Sequence, residues 1–295
     1  MRRALLAALS AVLLISAACS SEPEATAAPA PVLASTPAQV TEPFSKLEKQ
    51  YSARLGVFAY DTGTHRTVSY RAGERFPHAS TFKALACGVL LIETKNLDKL
   101  IRYDESILLP NSPITEKHVA TGMTLRELCD AAIRYSDNAA ANLILAEIGG
   151  PSGLQRALRR LGDVVTNTSR TEPTLNEATP GDTRDTTTPR ALATSLQKLT
   201  LGHALPPAKR AVLVGWLKAN TTGGTTIRAG VPKDWTVGDK TGTAAYGGRN
   251  DVAILWPPNR APIMLAILST KGAKDAVPND ALIAAAAAAA INALG

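Results

Sequence analysis

The strongest constraint on this chain is where its strand-like and helix-like patterns fall. The stretch "RLGVFAYDTGTHRTVSYRAG" holds two strand-like runs around Asp61-Thr62-Gly63, a hairpin signal. Three further strand runs, "WTVGDKTGTA", "NDVAILWPP" and "APIMLAILST", return only near the C-terminal end. Between them, from Ser80 to about Leu217, the patterns are mostly helical, punctuated at Thr124, Gly149-Gly150-Pro151 and Thr188-Pro189. One antiparallel sheet of five strands drawn from both ends accommodates this order. The amphipathic stretch "FSKLEKQYSA" and the alanine-rich run Asp280 to Leu294 would flank it as terminal helices. The expectation is therefore an α/β fold: residues 44–75 and 220–295 form a discontinuous α/β lobe, and residues 76–219 an inserted all-helical lobe. A site is expected in the cleft between them.

The N-terminus reads differently. Arg2-Arg3 precedes the apolar run Ala4 to Ala18, too short for a comfortable span and ordered like a signal peptide over residues 1–18. "SAAC" is similar to a bacterial lipobox, which would lipidate Cys19; ordinary cleavage at the small residues is the other reading. Residues 19–43, rich in Pro, Ala, Ser and Thr, read as a flexible tether. Export to the cell envelope follows, as a lipoprotein or a secreted or periplasmic protein. Cys87 and Cys129 then remain as an even pair, either bridged or reduced and buried. The net charge of +7 is spread along the chain, with no basic run or aromatic–basic interleaving, so nucleic acid is not an expected partner. His65, His78, His118 and His203 are isolated and show no metal-ligand spacing.

"HASTFKALACG" places Ser80 and Lys83 three residues apart, on one face of a helix. Ser80 could simply cap that helix. It could also be a nucleophile beside a lysine, since a lysine in an apolar run is costly unless paired or neutralised. Three downstream stretches bear on the choice: "SDN" at Ser136-Asp137-Asn138, "EPTLN" from Glu172 to Asn176, and "KTGT" from Lys240 to Thr243. Alone, a tripeptide such as SDN is usually a turn or cap. Together, in this order, they match the S-x-x-K, S-D-N and K-T-G set of serine enzymes that react with β-lactams.

With "FPHASTFKALACG", "RTEPTLNEATPGDTRDTTTPR" and "DKTGTAAYGGRND" added, the chain from about Phe44 onward resembles a class A serine β-lactamase. The resemblance implies hydrolysis of penicillins and early cephalosporins through an acyl-enzyme, conferring antibiotic resistance, with a catalytic water and no cofactor or metal, by a monomer. It implies Ser80 as nucleophile, with Lys83 or Glu172 taking its proton. It makes Glu172 the base for deacylation on a water shared with Asn176, and Ser136 a proton donor to the leaving nitrogen. The backbone N–H groups of Ser80 and Thr243 would form an oxyanion hole. Asn138 would contact the substrate's amide side chain. Lys240, Thr241, Gly242, Thr243 and Arg249 would form the corner that takes its carboxylate. The same resemblance implies an Ω-like loop over residues 170–185 closed by Arg170 and Asp185, a cis bond before Pro173, and a Cys87–Cys129 disulfide. Asn111 departs from the pattern, standing where many relatives carry an aromatic residue at the cleft mouth. Ala79 and Ala244 replace cysteines that some carbapenem-hydrolysing relatives bridge. A D,D-peptidase of the same fold is the alternative, and "EPTLN" discriminates, because those peptidases lack a deacylating glutamate. A non-catalytic binding module would be expected to have broken motifs, and these are intact.

Overall fold

A computed structural model describes residues 41–295; the signal-like segment, Cys19 and the tether up to residue 40 lie outside the described residues. The sheet contains β1 (Arg54–Asp61), β2 (Thr67–Tyr70), β3 (Thr236–Ala244), β4 (Gly248–Trp256) and β5 (Ile263–Thr270). Their order is β2-β1-β5-β4-β3, and every neighbouring pair is antiparallel. The strands from the two chain ends meet at β1 and β5, with Val57 opposite Ile267. Strand β3, which carries Lys240 to Thr243, is left at an edge.

The helices are α1 (Glu42–Tyr51), α2 (Phe82–Glu93), α3 (Leu125–Arg134), α4 (Asn138–Glu147), α5 (Gly150–Arg160), α6 (Pro189–Thr200), α7 (Pro207–Lys218), α8 (Ile227–Gly230) and α9 (Asp280–Leu294). Local sequence explains several of their starts. Thr124 and Glu127 form a reciprocal capping box at α3, Thr188 caps α6 ahead of Pro189, and the Asn279 side chain caps α9. Helix α1 begins two residues earlier than the sequence suggests, because Pro43 fits the first turn, so Glu42 and Pro43 are helical rather than tether.

Alternation along the strands sorts the interior into two cores. Leu55, Val57, Ala59, Ala253, Leu255, Leu265 and Ile267 pack with α1 and α9. Phe58, Val252, Ile254, Met264, Ala266 and Leu268 face the other way and share one core with residues of α2 to α7. Helix α9 turns Leu282, Ile283, Ala286, Ala287, Ala290 and Leu294 inward. The helical segment is therefore continuous with the sheet's second face: α6 packs on β1 and β5, and α7 on β3.

The disulfide expected between Cys87 and Cys129 is not formed; both are free, buried thiols where α2 packs against α3. The Cys87 Sγ lies 3.9 Å from the Cys129 carbonyl oxygen. The pair acts as small apolar filler, the usual role of a reduced core cysteine, and burial raises the Cys129 thiol pKa well above its ordinary value.

Candidate active site

Ser80 does not cap a helix. A short 3₁₀ turn, Ala79–Thr81, runs into α2, whose N-cap is Thr81, and no side chain caps it. The Ser80 hydroxyl instead donates to Glu172 Oε1 at 3.1 Å. Ala79 before it has φ 46°, a left-handed conformation that turns the segment sharply into the helix. Lys83, one turn on, has no exposed side-chain surface. Its ammonium donates to the Ser136 carbonyl at 2.8 Å and to Asn138 Oδ1 at 2.7 Å, and pairs with Glu172 Oε1 at 3.0 Å. Burial pushes the Lys83 pKa down, with the Glu172 carboxylate opposing that shift.

Ser136 sits at the junction of α3 and α4 with φ 57°. The buried Asp137 holds this junction: its carboxylate caps α4 through Ala140 N–H at 2.9 Å and accepts from Ile114 and Thr115 N–H at 3.0 Å each. Of the three SDN residues, the aspartate is thus the structural one. The Ser136 Oγ lies 3.4 Å from Lys83 Nζ and accepts from Lys240 Nζ at 3.1 Å.

Glu172 arrives on the loop that follows α5. Its neck is tied by the pair that the resemblance implies: Arg170 Nε donates to Asp185 Oδ2 at 2.6 Å, and Asp185 Oδ1 accepts from the N–H groups of Ser169 and Arg170. The Asp185 carbonyl accepts from His78 N–H at 3.0 Å, which joins the loop to the turn bearing Ser80. The Glu172–Pro173 peptide is cis. Asn142 brackets the Glu172 backbone, accepting from its N–H and donating to its carbonyl, both at 2.9 Å. Asn176 Nδ2 donates to Glu172 Oε2 at 2.5 Å, and Asn176 Oδ1 is buried without a protein donor.

The fourth wall is edge strand β3. Gly242 passes the serine turn so closely that a Cβ there would lie 3.1 Å from Ala79 Cβ and 3.2 Å from both the His78 carbonyl oxygen and Ser80 N. Lys240 is fully buried; burial and the neighbouring Lys83 cation lower its pKa to about 7. Arg249 donates to Thr243 Oγ1 at 3.0 Å and is anchored by Asp280 at 2.5 Å.

A cleft of about 350 Å³ unites these groups, lined by Ser80, Ser136, Asn138, Asn176, Thr241, Gly242, Thr243 and Arg249. Lys83, Glu172 and Lys240 lie in its floor and reach it through hydrogen bonds to those residues. A larger groove of about 600 Å³, outside the 178–183 arm of the loop, contains none of the predicted site residues, so chemistry rather than size marks the site. Sequence reading missed Thr222, whose hydroxyl lies 2.6 Å from that of Thr241, and Tyr135 in the cleft wall. It also missed Asn142, one helical turn beyond Asn138, a spacing that could have flagged it.

Comparison with known proteins agrees with this geometry. A sequence model of the Beta-lactamase enzyme family matches residues 39–294. The chain is 57% identical over 270 residues to a β-lactamase of Amycolatopsis lactamdurans, covering 91% of this chain and 89% of that protein. It is 54% identical over 301 residues to β-lactamase AST-1 of Nocardia asteroides, covering 100% of this chain and 96% of the relative. Among solved structures, the class A β-lactamase of Clostridium kluyveri superimposes with a TM-score of 0.85 at 50% identity, covering 86% of this chain and 98% of that one. The serine, lysine and glutamate assembled in the cleft, together with these likenesses, establish that the chain belongs to the β-lactamase enzyme family, class A.

Proposed function

We propose that the protein hydrolyses the β-lactam ring of penicillins and early cephalosporins through an ester on Ser80, without a cofactor, and so confers resistance to them. One observation carries the reading: Ser80 Oγ and Lys83 Nζ converge on the same Glu172 oxygen, while Asn176 holds the other. A serine hydroxyl becomes a useful nucleophile only when a base takes its proton. Glu172 is that base in acylation, because Ser80 donates directly to it, whereas the Lys83 ammonium is committed to Ser136, Asn138 and Glu172.

As Ser80 Oγ bonds to the lactam carbonyl carbon, Glu172 receives the serine proton. The oxyanion is held by the Ser80 and Thr243 N–H groups. When the C–N bond breaks, Ser136 gives its proton to the leaving nitrogen. Lys83 reprotonates Ser136 across 3.4 Å and is reprotonated by Glu172 across 3.0 Å. The net transfer is one proton from Ser80 to the ring nitrogen. Water then enters between Glu172 and Asn176, whose buried Oδ1 accepts one of its O–H groups. Glu172 deprotonates that water, the hydroxide attacks the ester carbonyl carbon, and as the bond to Ser80 Oγ breaks Glu172 returns the proton to that oxygen. Thr241, Thr243, Lys240 and Arg249 take the substrate carboxylate, and Asn138 uses its remaining N–H on the substrate's amide side chain.

The same proposal includes export of a monomer by removal of residues 1–18 and lipidation at Cys19. Among the described residues no helix is long and apolar enough to cross a membrane. Purified protein should turn over a chromogenic cephalosporin many times per active site. A single stoichiometric burst ending in a stable adduct would instead favour the D,D-peptidase reading, and mass spectrometry of membrane extracts reads the state of Cys19.

A further inference from the structure

Asn111 is a cleft residue to which the mechanism gives no task. Asn111 lies on the loop before the 3₁₀ turn Thr115–His118, is exposed, and lines the catalytic cleft. Its φ is 62°, a left-handed conformation that asparagine tolerates better than most residues. That conformation turns both its side chain and its backbone toward the Ser136–Asn138 junction. Asn111 Nδ2 donates to the Ser136 carbonyl at 3.0 Å, and the Asn111 carbonyl accepts from Asn138 N–H at 2.9 Å. The adjacent Pro110 carbonyl accepts from Asn138 Nδ2 at 2.8 Å.

The Ser136 carbonyl is therefore shared by two donors, Asn111 Nδ2 and Lys83 Nζ. Lys83 has three N–H groups and four acceptors in reach: that carbonyl, Asn138 Oδ1 and Glu172 at 2.7 to 3.0 Å, and the Ser136 hydroxyl, the most distant. To pass a proton to the Ser136 hydroxyl, 3.4 Å away, Lys83 must turn one N–H off an existing acceptor. The Ser136 carbonyl is the acceptor that can release it without loss, because Asn111 remains bonded there. Ser136 also has a left-handed backbone, φ 57°, so a carbonyl left without a donor would let the junction relax away from Lys240 and Lys83.

We propose that Asn111 is a positioning residue for acylation: its side-chain amide holds the Ser136 carbonyl so that Lys83 can swing from that carbonyl to the Ser136 hydroxyl while the lactam nitrogen is protonated. This rests on the acyl-enzyme reading above, in which Ser136 serves acylation and Glu172 with Asn176 serves deacylation. The two steps should therefore respond differently to loss of the amide.

The test compares wild type with Asn111→Gly and Asn111→Ala. Quenched-flow mass spectrometry with a penicillin follows growth and decay of the Ser80 adduct, and a melting curve is recorded for each protein. Glycine keeps the left-handed backbone at no steric cost and removes only the amide. Both variants should slow adduct formation roughly five- to tenfold, the worth of one hydrogen bond. Adduct decay should stay within about twofold, because its groups are untouched. Wild-type acylation rates in Asn111→Gly would overturn the role. So would equal slowing of formation and decay with a lowered Tm, which marks a merely structural contact. A wild-type protein that forms no adduct on Ser80 removes both this proposal and the acyl-enzyme reading. That outcome is distinct from a normal wild type with an unaffected glycine variant, which removes the Asn111 role alone.

Discussion

Replacing Glu172 by glutamine tests the centre of the proposed chemistry with little change of shape. The substituted side chain would keep a carbonyl oxygen for Lys83 and Ser80, and the Asn142 bonds to the backbone at this position would be untouched. Its new N–H groups would face the Asn176 amide, but Asn176 can turn over and offer Oδ1, which has no protein donor in the native arrangement. The remaining cost is the lost partner of a fully buried Lys83, at most about 3–5 kcal/mol for breaking a buried pair. Lys83 limits that cost by shedding its proton, since burial already lowers its pKa and the Glu172 carboxylate is the largest influence opposing the shift, ahead of Asp137. The variant should therefore fold. Removal of the general base should slow deacylation roughly 10²–10⁴-fold, about 3–5 kcal/mol of barrier. With a chromogenic cephalosporin, the expected record is slowed adduct formation, because Glu172 is also the proposed acylation base, followed by slow release, with an adduct on Ser80 by mass spectrometry. A Glu172→Gln protein that releases its adduct at the wild-type rate would refute the assignment. If the adduct forms at the wild-type rate but persists, neutral Lys83 is the acylation base.

In the free enzyme the Lys240 pKa is lowered to about 7, so kcat/KM should fall as pH rises through that region and the charge facing the substrate carboxylate is lost. Lys240→Arg should shift that basic limb upward even where it lowers the overall rate, whereas a wild-type profile flat from about pH 6 to 9 would contradict it. Asp185→Ala leaves Arg170 Nε and two backbone N–H groups without that acceptor, although Glu177 still pairs with the guanidinium, and three lost buried bonds should cost roughly 3–5 kcal/mol. Its melting temperature should drop by roughly 6–20 °C, and a loss under about 1 kcal/mol would mean the loop neck is not buried in solution. Gly242→Ala brings a methyl within 3.2 Å of Ser80 N, so acylation should fall by roughly tenfold with stability nearly unchanged; unaltered acylation would show that β3 yields freely there. In the native protein the Cys87 and Cys129 thiols should resist an aromatic disulfide reagent, and both should react after unfolding. Two unreactive sulfurs in the unfolded, unreduced chain would mean a bridge instead.

The sequence alone determined what depends on local pattern and residue chemistry. Strand-like runs at the two chain ends suggested a sheet shared between them, and β1 does pair with β5. Thr124, and Thr188 before Pro189, marked helix boundaries because capping is decided within four residues. The stretches "STFK", "SDN", "EPTLN" and "KTGT" named groups that meet in the cleft, because in this order they match a known motif set. Tertiary structure decided what depends on which atoms approach across the fold. Ser80 looks like a helix cap until the loop after α5 brings Glu172 to its hydroxyl. The two cysteines lie at positions where the resemblance implied a bridge, and they stand as free, buried thiols. Asn111 looked like a missing aromatic, and only its left-handed backbone turns its amide onto the Ser136 carbonyl. Hydrogen bonds act over about 3 Å, and contacts between residues 25 to 92 positions apart are set by how the elements pack, which no local pattern encodes.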